Sequence, residues 1–365
     1  MINCKGWFVL SVKISSSQLC AVLFISHIYT FLTVPHTSGN RYEGTMFLVS
    51  EIIAALIIII FMLPAFFAAK GSSLSIADIA AEQSKMLGKA AAALLAVFSI
   101  LVTIQSLISF QFFLTTAVYE QGPKLLYIVL LTIACIYAAS LGIEAFSRSA
   151  IFVTVLILAG FFIISLLLIP DYNTLYLHTP FYDGIKPVFT EAFATVFRYT
   201  ELIAFLMLVP YDKTDAKKSF FWLIGIALIT SLLIVFLTQT ALGDYGRAQT
   251  FPVYLLSRVA ELSFIQRFDS LYVVLWLFSA FFKVALYIFL AGDCIKKLFA
   301  KASSRVVMPV VGIISITSAY CLPNAIKGKN SELWTISGAV YAGLFLLLLP
   351  SAILILKKVR KHRKV

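Results

Sequence analysis

Residues 187–210 read PVFTEAFATVFRYTELIAFLMLVP, an apolar segment long enough to cross a membrane that nevertheless carries three charged side chains. These are Glu191, Arg198 and Glu201, and their spacing of i, i+7 and i+10 predicts that they share one face of a helix. An ionised side chain at the bilayer centre costs at least ~2.5 kcal/mol on insertion scales, so charges kept there generally face protein or a cavity. We therefore interpret Glu191 and Arg198 as coupling or gating residues and Glu201 as a ligand contact.

The polar run Arg198-Tyr199-Thr200-Glu201 lies in the middle of this segment. Such a run favours unwinding of the helix, which would offer free backbone groups to a ligand, as the discontinuous helices of secondary transporters do. Tyr199 and Thr200 are accordingly predicted ligand contacts. The alternative interpretation is a purely structural ion pair between Arg198 and Glu201.

The composition of the whole chain is that of an integral membrane protein. Of its 365 residues, 61% are hydrophobic and 13% are charged, whereas soluble domains carry about 25% charged residues. Apolar runs, many of them longer than the roughly 18 residues that cross the hydrocarbon, recur along the chain. We predict an all-α membrane protein with ten transmembrane helices, at 14–35, 44–69, 89–117, 124–142, 149–169, 187–210, 219–242, 270–292, 306–323 and 334–356.

The positive charge of the chain follows its predicted topology. A net charge of +12 would favour nucleic-acid binding in a soluble protein, but here most Lys and Arg lie in alternate loops and near the C-terminus. The positive-inside rule then places both the tail 1–13 and the basic tail 357–365 in the cytoplasm of a multi-pass membrane protein, with lipid and no nucleic acid as a partner. No P-loop, GxSxG, HExxH or CxxC motif occurs, so the sequence predicts no enzyme, cofactor or metal site.

The predicted helices divide into two halves of similar size, 14–169 and 187–356. Five helices in each half mean that the halves enter the membrane from opposite sides. Thr33-Val34-Pro35 closes the first helix and Leu208-Val209-Pro210 closes the sixth, which is the pattern expected of a LeuT-type 5+5 inverted repeat with broken helices 1 and 6.

The first predicted helix carries a polar patch at mid-span, the counterpart of the one in the sixth. Its members Ser26, His27, Tyr29 and Thr30 are predicted ligand contacts beside a second break. His27 also suits a proton carrier, because histidine titrates near neutral pH. A lone membrane histidine is more often hydrogen-bonded to a neighbouring helix, and that alternative stays open.

Three further helices contribute candidates. Gln105 and Ser109 of the third helix suit either a ligand pathway or helix packing. Lys283, about half a span from either end of the eighth helix, suits the place of a coupling sodium ion, with snorkelling to the interface as the alternative. Glu51 of the second helix is a further candidate buried acid.

The stretch SLGIEAFSRSA (140–150) resembles the G-x-E-x-x-x-R signature of the spore germination permeases, the B subunits of nutrient germinant receptors. Four further features are similar to that family in order and spacing. They are the opening stretch 14–19, Pro35 after the first helix, the stretch 201–210 and the run 267–276. Glu144 and Arg148 match the signature, and their position between two predicted helices suggests a structural or gating pair. In place of the family's usual Gly-containing break in the first helix, this chain has Ser26 to Tyr29.

The resemblance implies an amino acid/polyamine/organocation transporter fold. It also implies a place in the inner membrane of the spore beside an A-type subunit and a lipoprotein C-type subunit, where a nutrient such as an amino acid triggers germination. The leading hypothesis is therefore a nutrient-sensing receptor subunit. Proton-coupled amino acid transport, with His27, Glu191 or Glu201 as carrier, and an assembly scaffold are the alternatives.

Overall fold

The computed structural model describes residues 13–33, 44–69, 74–119, 122–177, 181, 184–213, 216–247, 249–260, 269–299, 301–326 and 338–362. Within these ranges the chain forms thirteen α-helices. They are α1 (Ser16–Thr33), α2 (Gly44–Ala68), α3 (Ile76–Gln83), α4 (Lys85–Phe113, continued by the π-helical turn Leu114–Val118), α5 (Lys124–Ser140), α6 (Ile143–Leu167), α7 (Ile185–Arg198), α8 (Glu201–Leu208), α9 (Ala216–Arg247), α10 (Pro252–Val259), α11 (Asp269–Leu298), α12 (Ser304–Ile326) and α13 (338–362, with a π-helical section Gly343–Leu348).

Nine spans among the described residues are long and apolar enough to cross a membrane, with α7 and α8 together forming one of them. The apolar helix α5, which has 17 residues, is shorter. The all-α membrane fold predicted from the sequence is therefore confirmed, while the count of ten spanning helices stays a prediction. The predicted positions 34–35 and 334–337 lie outside the described residues.

The bundle has a buried centre and an apolar outer surface. Helix α1 is buried over most of its length and packs against α6, α9 and α11, while α11 also packs against α4 and α5. Helix α2 is peripheral and exposes one stripe of large apolar side chains to the surroundings, namely Ile52, Leu56, Ile60, Leu63 and Phe67. Their spacing of three or four residues marks a single helical face, which suits contact with lipid chains.

The predicted break in the first helix is wrong. Helix α1 runs without interruption from Ser16 to Thr33, through the polar patch at 26–30. That patch contains neither Gly nor Pro. Threonine hydroxyl groups bond to the backbone of this helix: Thr30 Oγ1 donates to the Ser26 carbonyl at 3.4 Å and, just beyond the patch, Thr33 Oγ1 donates to the Tyr29 carbonyl at 2.5 Å. Hydroxyl side chains satisfied in this way remain compatible with a continuous helix.

The predicted break in the sixth helix is confirmed. Helix α7 ends at Arg198 and α8 begins at Glu201, because Tyr199 adopts a non-helical ψ of 65°. At the far end of α8, the chain following it pairs with the chain before α1: the Ile14 amide donates to the Tyr211 carbonyl at 2.8 Å, and the Lys213 amide donates to the Ile14 carbonyl at 3.0 Å. This short bridge holds the start of α1 beside the end of α8.

The fifth helix begins earlier than predicted. Helix α6 starts at Ile143 rather than at 149, directly after Gly142, whose φ of 88° lies in the region that favours glycine. Glu144 and Arg148 therefore belong to the first turns of α6 and do not lie between two helices.

Candidate ligand site at the break between α7 and α8

The break between α7 and α8 leaves two helix ends facing each other at the centre of the bundle. Thr200, the residue before α8, is buried, and its carbonyl accepts the amides of Ile203 and Ala204 at 3.1 and 3.3 Å. On the other side, the Tyr199 amide bonds back to the Val196 carbonyl at 3.2 Å. A positive helix N-terminus and a negative helix C-terminus thus meet within two residues.

An ion pair between Lys283 of α11 and Glu201 of α8 occupies this centre. Lys283 Nζ donates to Glu201 Oε1 at 2.6 Å, and the side chains of both residues are at most 2% exposed. Two hydroxyl groups from the break and from α1 complete the shell: Lys283 Nζ donates to Thr200 Oγ1 at 3.3 Å and also to Thr30 Oγ1. The ammonium is therefore satisfied inside the protein, so snorkelling to the interface does not occur.

Helix α1 presents its polar patch to the same ion pair. Ser26 Oγ donates to Glu201 Oε1 at 2.8 Å, and the Ser26 carbonyl accepts from Lys283 Nζ at 3.5 Å. Ser26 and Thr30 are four residues apart on a continuous helix, so both point to one side of α1. Helices α1, α8 and α11 thus converge on a single cluster. The sequence had predicted Ser26, Thr30 and Glu201 as ligand contacts and Lys283 separately as a coupling residue.

His27 lies against the break itself. Its ring stacks on Tyr199 with the centroids 4.2 Å apart and the planes inclined by 28°. The side chain is buried, and neither ring nitrogen has a hydrogen-bond partner among the described residues. The hydrogen bond from His27 to a neighbouring helix, which was the alternative interpretation, is therefore absent from the described part of the chain, and the contact is made by the ring face.

Tyr29 and α4 form the next layer of the site. Tyr29 Oη donates to the Ser106 carbonyl at 2.7 Å, and the Tyr29 ring lies 5.5 Å from that of Trp276. Ser109 is buried three residues after Ser106, so it shares that face of α4, while Gln105 is half-buried. The predicted contacts on α4 thus lie beside the layer around Tyr29.

The charges of the sixth predicted helix separate into two clusters instead of sharing one face. Arg198 Nη1 donates to Glu191 Oε1 at 3.2 Å within α7, whereas Glu201 pairs with Lys283. The structural pair between Arg198 and Glu201, considered as the alternative, is wrong. The physical reason is the break, because a non-helical residue at Tyr199 resets the rotational phase of every side chain after it.

A second polar cluster lies between α2 and α7. Thr195 Oγ1 of α7 donates to Glu51 Oε1 of α2 at 3.3 Å, next to the pair of Glu191 with Arg198. Ser50 Oγ also donates to the Val188 carbonyl at 3.0 Å. The sequence pointed to Glu51 as a buried acid, and its close neighbours on α7 follow from the packing of these two helices.

Glu144 and Arg148 form an ion pair of a different kind. Arg148 Nη2 donates to Glu144 Oε1 at 2.6 Å, but the Arg148 side chain is 68% exposed and the Glu144 side chain is 43% exposed. This pair of adjacent helical turns lies at the surface and contributes no group to the cluster at the break.

One polar network escaped the sequence analysis. Lys297 at the end of α11 donates to Asp78 Oδ2 and to Ser75 Oγ, each at 2.9 Å, and lies 3.6 Å from Asp293. Tyr211, just after α8, donates to Asp293 at 3.3 Å. Ser75-x-x-Asp78 is a helix-capping pattern at the start of α3. This pattern could have identified α3 and its two polar residues from the sequence.

Residues 13–326 match a family described as spore germination protein. Spore germination protein XB from Bacillus anthracis is 27% identical over 229 residues, which cover 59% of this chain and 62% of that protein. Spore germination protein KB from Bacillus subtilis (strain 168) is 27% identical over 220 residues, 56% of this chain and 58% of that protein. The chain thus spans less than two thirds of the length of either relative.

Two solved structures share the fold. The substrate-bound outward-open state of a Na⁺-coupled sialic acid symporter superposes with a TM-score of 0.66 at 16% identity, over 94% of this chain and 80% of that one. MhsT in complex with L-phenylalanine superposes with a TM-score of 0.57 at 12% identity, over 95% of this chain and 99% of that one. These likenesses establish a LeuT-type transporter fold, and together with the family they point to a transporter or receptor rather than an enzyme. Because the family match extends over most of the sequence, as the resemblance of residues 140–150 predicted, the chain belongs to the spore germination protein family.

Proposed function

We propose that the chain is the B-type transmembrane subunit of a nutrient germinant receptor, which binds a small nutrient such as an amino acid and thereby triggers spore germination. The observation that carries this proposal is the interruption at Tyr199 and Thr200, buried at the centre of a transporter fold in a chain of the spore germination protein family. An enzyme would need reactive groups of another kind, whereas a helix break suits recognition of a charged solute.

The chemistry of the break favours a zwitterion. The N-terminus of α8 attracts a carboxylate, and the C-terminal carbonyls of α7 attract an ammonium group. The proposed ligand contacts are Ser26, His27, Tyr29, Thr30, Gln105, Ser109, Tyr199, Thr200 and Glu201. A bound ligand would rearrange the ion pair of Glu201 with Lys283 and so shift α8. Neighbouring subunits in contact with the bundle would respond to that shift.

Lys283 gives the proposed site a cation of its own. Its ammonium group lies 2.6 Å from Glu201, where it neutralises the carboxylate. We propose on this ground that Lys283 takes the place of a coupling sodium ion. Glu191 with Arg198 serves as a coupling pair on α7, and the exposed pair Glu144 with Arg148 serves a structural or gating role.

The proposed partners and location follow from the family. They are an A-type subunit and a lipoprotein C-type subunit in the inner membrane of the spore. Both termini are proposed to be cytoplasmic, since the basic residues near the C-terminus include Lys357 and Lys358.

Germination of spores tests the proposal directly. Thr200→Trp would fill the break, so spores carrying it should lose their response to a mixture of amino acids, measured as the fall in absorbance of the suspension. Thr190→Trp on the exposed side of α7 is the matched control and should respond normally. If Thr200→Trp spores with normal protein levels germinate as well as the control, the site is not the sensor and the scaffold role is favoured.

Proton-coupled amino acid transport is the second candidate function. The superposition on a Na⁺-coupled symporter at a TM-score of 0.66 favours it, because the fold is that of proteins that move solutes. Uptake of labelled amino acids into proteoliposomes distinguishes the two. Concentrative uptake that depends on a proton gradient supports transport, whereas binding without uptake supports a receptor.

A further inference from the structure

Glu51 is a buried carboxyl group without a cation of its own. It is 3% exposed in α2, and among the described residues it forms no ion pair. The other two acids in the middle of the bundle differ in this respect, because Glu191 contacts Arg198 and Glu201 contacts Lys283. Glu51 therefore stands apart from the cluster at the break.

The hydrogen bonds of Glu51 are few and come from neutral groups. Thr195 Oγ1 donates to Oε1 at 3.3 Å, and the Ser231 side chain of α9 lies against the carboxyl group. Oε2 is buried and has no partner among the described residues. An ionised carboxylate offers about four acceptor sites, so this environment satisfies the charged form poorly.

The charges that face Glu51 do not balance if it is ionised. Helix α7 presents Glu191 and Arg198, the break presents the Tyr199 phenol, and α9 presents the Ser231 hydroxyl. Helix α13 also packs on α2, but its Lys357 binds the Ala68 carbonyl at the far end of α2. Among the described residues, two carboxyl groups thus face one guanidinium group, which is already paired with Glu191.

We propose that Glu51 is a proton-binding site, in which the buried carboxyl group holds a proton at neutral pH while α2 and α7 are packed as they are here. A buried group of this kind is neutralised more readily than it is kept ionised. The proton comes from the solvent, leaves Oε1 free to accept from Thr195 and makes Oε2 a donor. The contact then carries no net charge, since Glu191 and Arg198 cancel.

Protonation of Glu51 in turn favours the present position of α7. Loss of the proton would place a second negative charge beside Glu191 and would push α2 and α7 apart. Helix α7 leads directly into the break at Tyr199, so the proton on Glu51 would bias the geometry of the break without touching a ligand.

Infrared spectroscopy of the purified full-length protein in lipid nanodiscs tests this proposal without any ligand. The protein at neutral pH should show the C=O stretching band of a protonated carboxylic acid, and Glu51→Gln should abolish that band. Glu82→Gln, which replaces an exposed acid on α3, is the control and should leave the band unchanged. A wild-type protein that lacks the band, or a Glu51→Gln protein that retains it, would overturn the proposal.

Thermal unfolding provides the second measurement. Because glutamine has the shape and neutrality of a protonated glutamic acid, Glu51→Gln should unfold at a temperature at least as high as that of the wild type at neutral pH. As the pH rises from about 4 towards neutrality, the midpoint of the wild type should fall relative to that of Glu51→Gln, because unfolding of the wild type releases the proton that the folded state holds. A Glu51→Gln protein that fails to fold, or that is clearly less stable at neutral pH, would contradict a protonated Glu51.

Discussion

Lys283 and Glu201 lie 82 positions apart in the sequence, yet their charged atoms are 2.6 Å apart in the fully buried centre of the bundle. The pair joins α11 to the first residue of α8, at the point where the chain crosses the membrane in two separate helices. Three hydroxyl groups bond to it, those of Ser26 and Thr30 in α1 and that of Thr200 at the break. The pair therefore links the three elements on which the proposed site depends.

Removing one partner of this pair should destabilise the protein strongly. Lys283→Met leaves Glu201 as an uncompensated buried charge, and such single replacements cost about 3–5 kcal/mol. The double replacement Lys283→Met with Glu201→Leu removes both charges and should recover most of that loss. Unfolding of the wild type and of the two variants, purified in detergent, measures the coupling, and single and double variants of equal stability would contradict it.

Lys283 should also make the response to nutrient independent of sodium. Its ammonium group already neutralises Glu201, so no bound cation is needed for charge balance at the break. Exchange of sodium chloride for choline chloride should leave the affinity of the purified protein for amino acids unchanged. A tenfold or greater loss of affinity without sodium would contradict the proposed role of Lys283.

Replacing His27 by Phe should preserve or raise stability. The ring stacks on Tyr199, and its two buried nitrogen atoms have no hydrogen-bond partner among the described residues. Leaving such a group unsatisfied costs about 1–3 kcal/mol, a cost that Phe avoids while keeping the ring. The melting temperature of His27→Phe should therefore equal or exceed that of the wild type, while His27→Ala should melt lower because it loses the stack. A large loss of stability in His27→Phe would show that the nitrogen atoms do have partners.

Gly338 should tolerate no side chain. A Cβ atom there would lie 1.7 Å from the Phe197 carbonyl oxygen, at the end of α7. Gly338→Ala must therefore push α13 away from the break and should lower both stability and nutrient response. Gly225→Ala in α9 is the control, since a Cβ atom there meets no atom within 4 Å. The control should be neutral or gain up to about 1 kcal/mol from the better helix propensity of Ala. Equal behaviour of the two variants would contradict the close approach of α13.

The fold could be predicted from the sequence because burial in lipid imposes strong rules on composition. Long apolar runs gave the helices, and the charges around Tyr199 gave the break. The same argument failed for the patch in α1, because the Thr30 hydroxyl group bonds to the carbonyl four residues back and the Ser26 hydroxyl group bonds to α8, and neither bond interrupts the helix. A polar patch that contains charges thus predicted a break better than one made of hydroxyl groups.

The pairing of the charges was harder to predict. Arg198 and Glu191 are two helical turns apart in one helix, so their contact follows from helix geometry. Glu201 and Lys283 belong to different helices, and a single sequence contains no information on which helices lie side by side. The contact of Lys297 with Asp78 was missed for the same reason, since it also joins two different helices, α11 and α3.

The bridge between Ile14 and Asp212 has a mechanical consequence. Two backbone hydrogen bonds tie the chain ahead of α1 to the chain behind α8, so a tilt of the half-helix drags the neighbouring end of α1 along with it. Because α1 is continuous, it moves as one rigid helix. A small tilt of α8 at Glu201 therefore displaces the whole of α1, including its far end near Thr33.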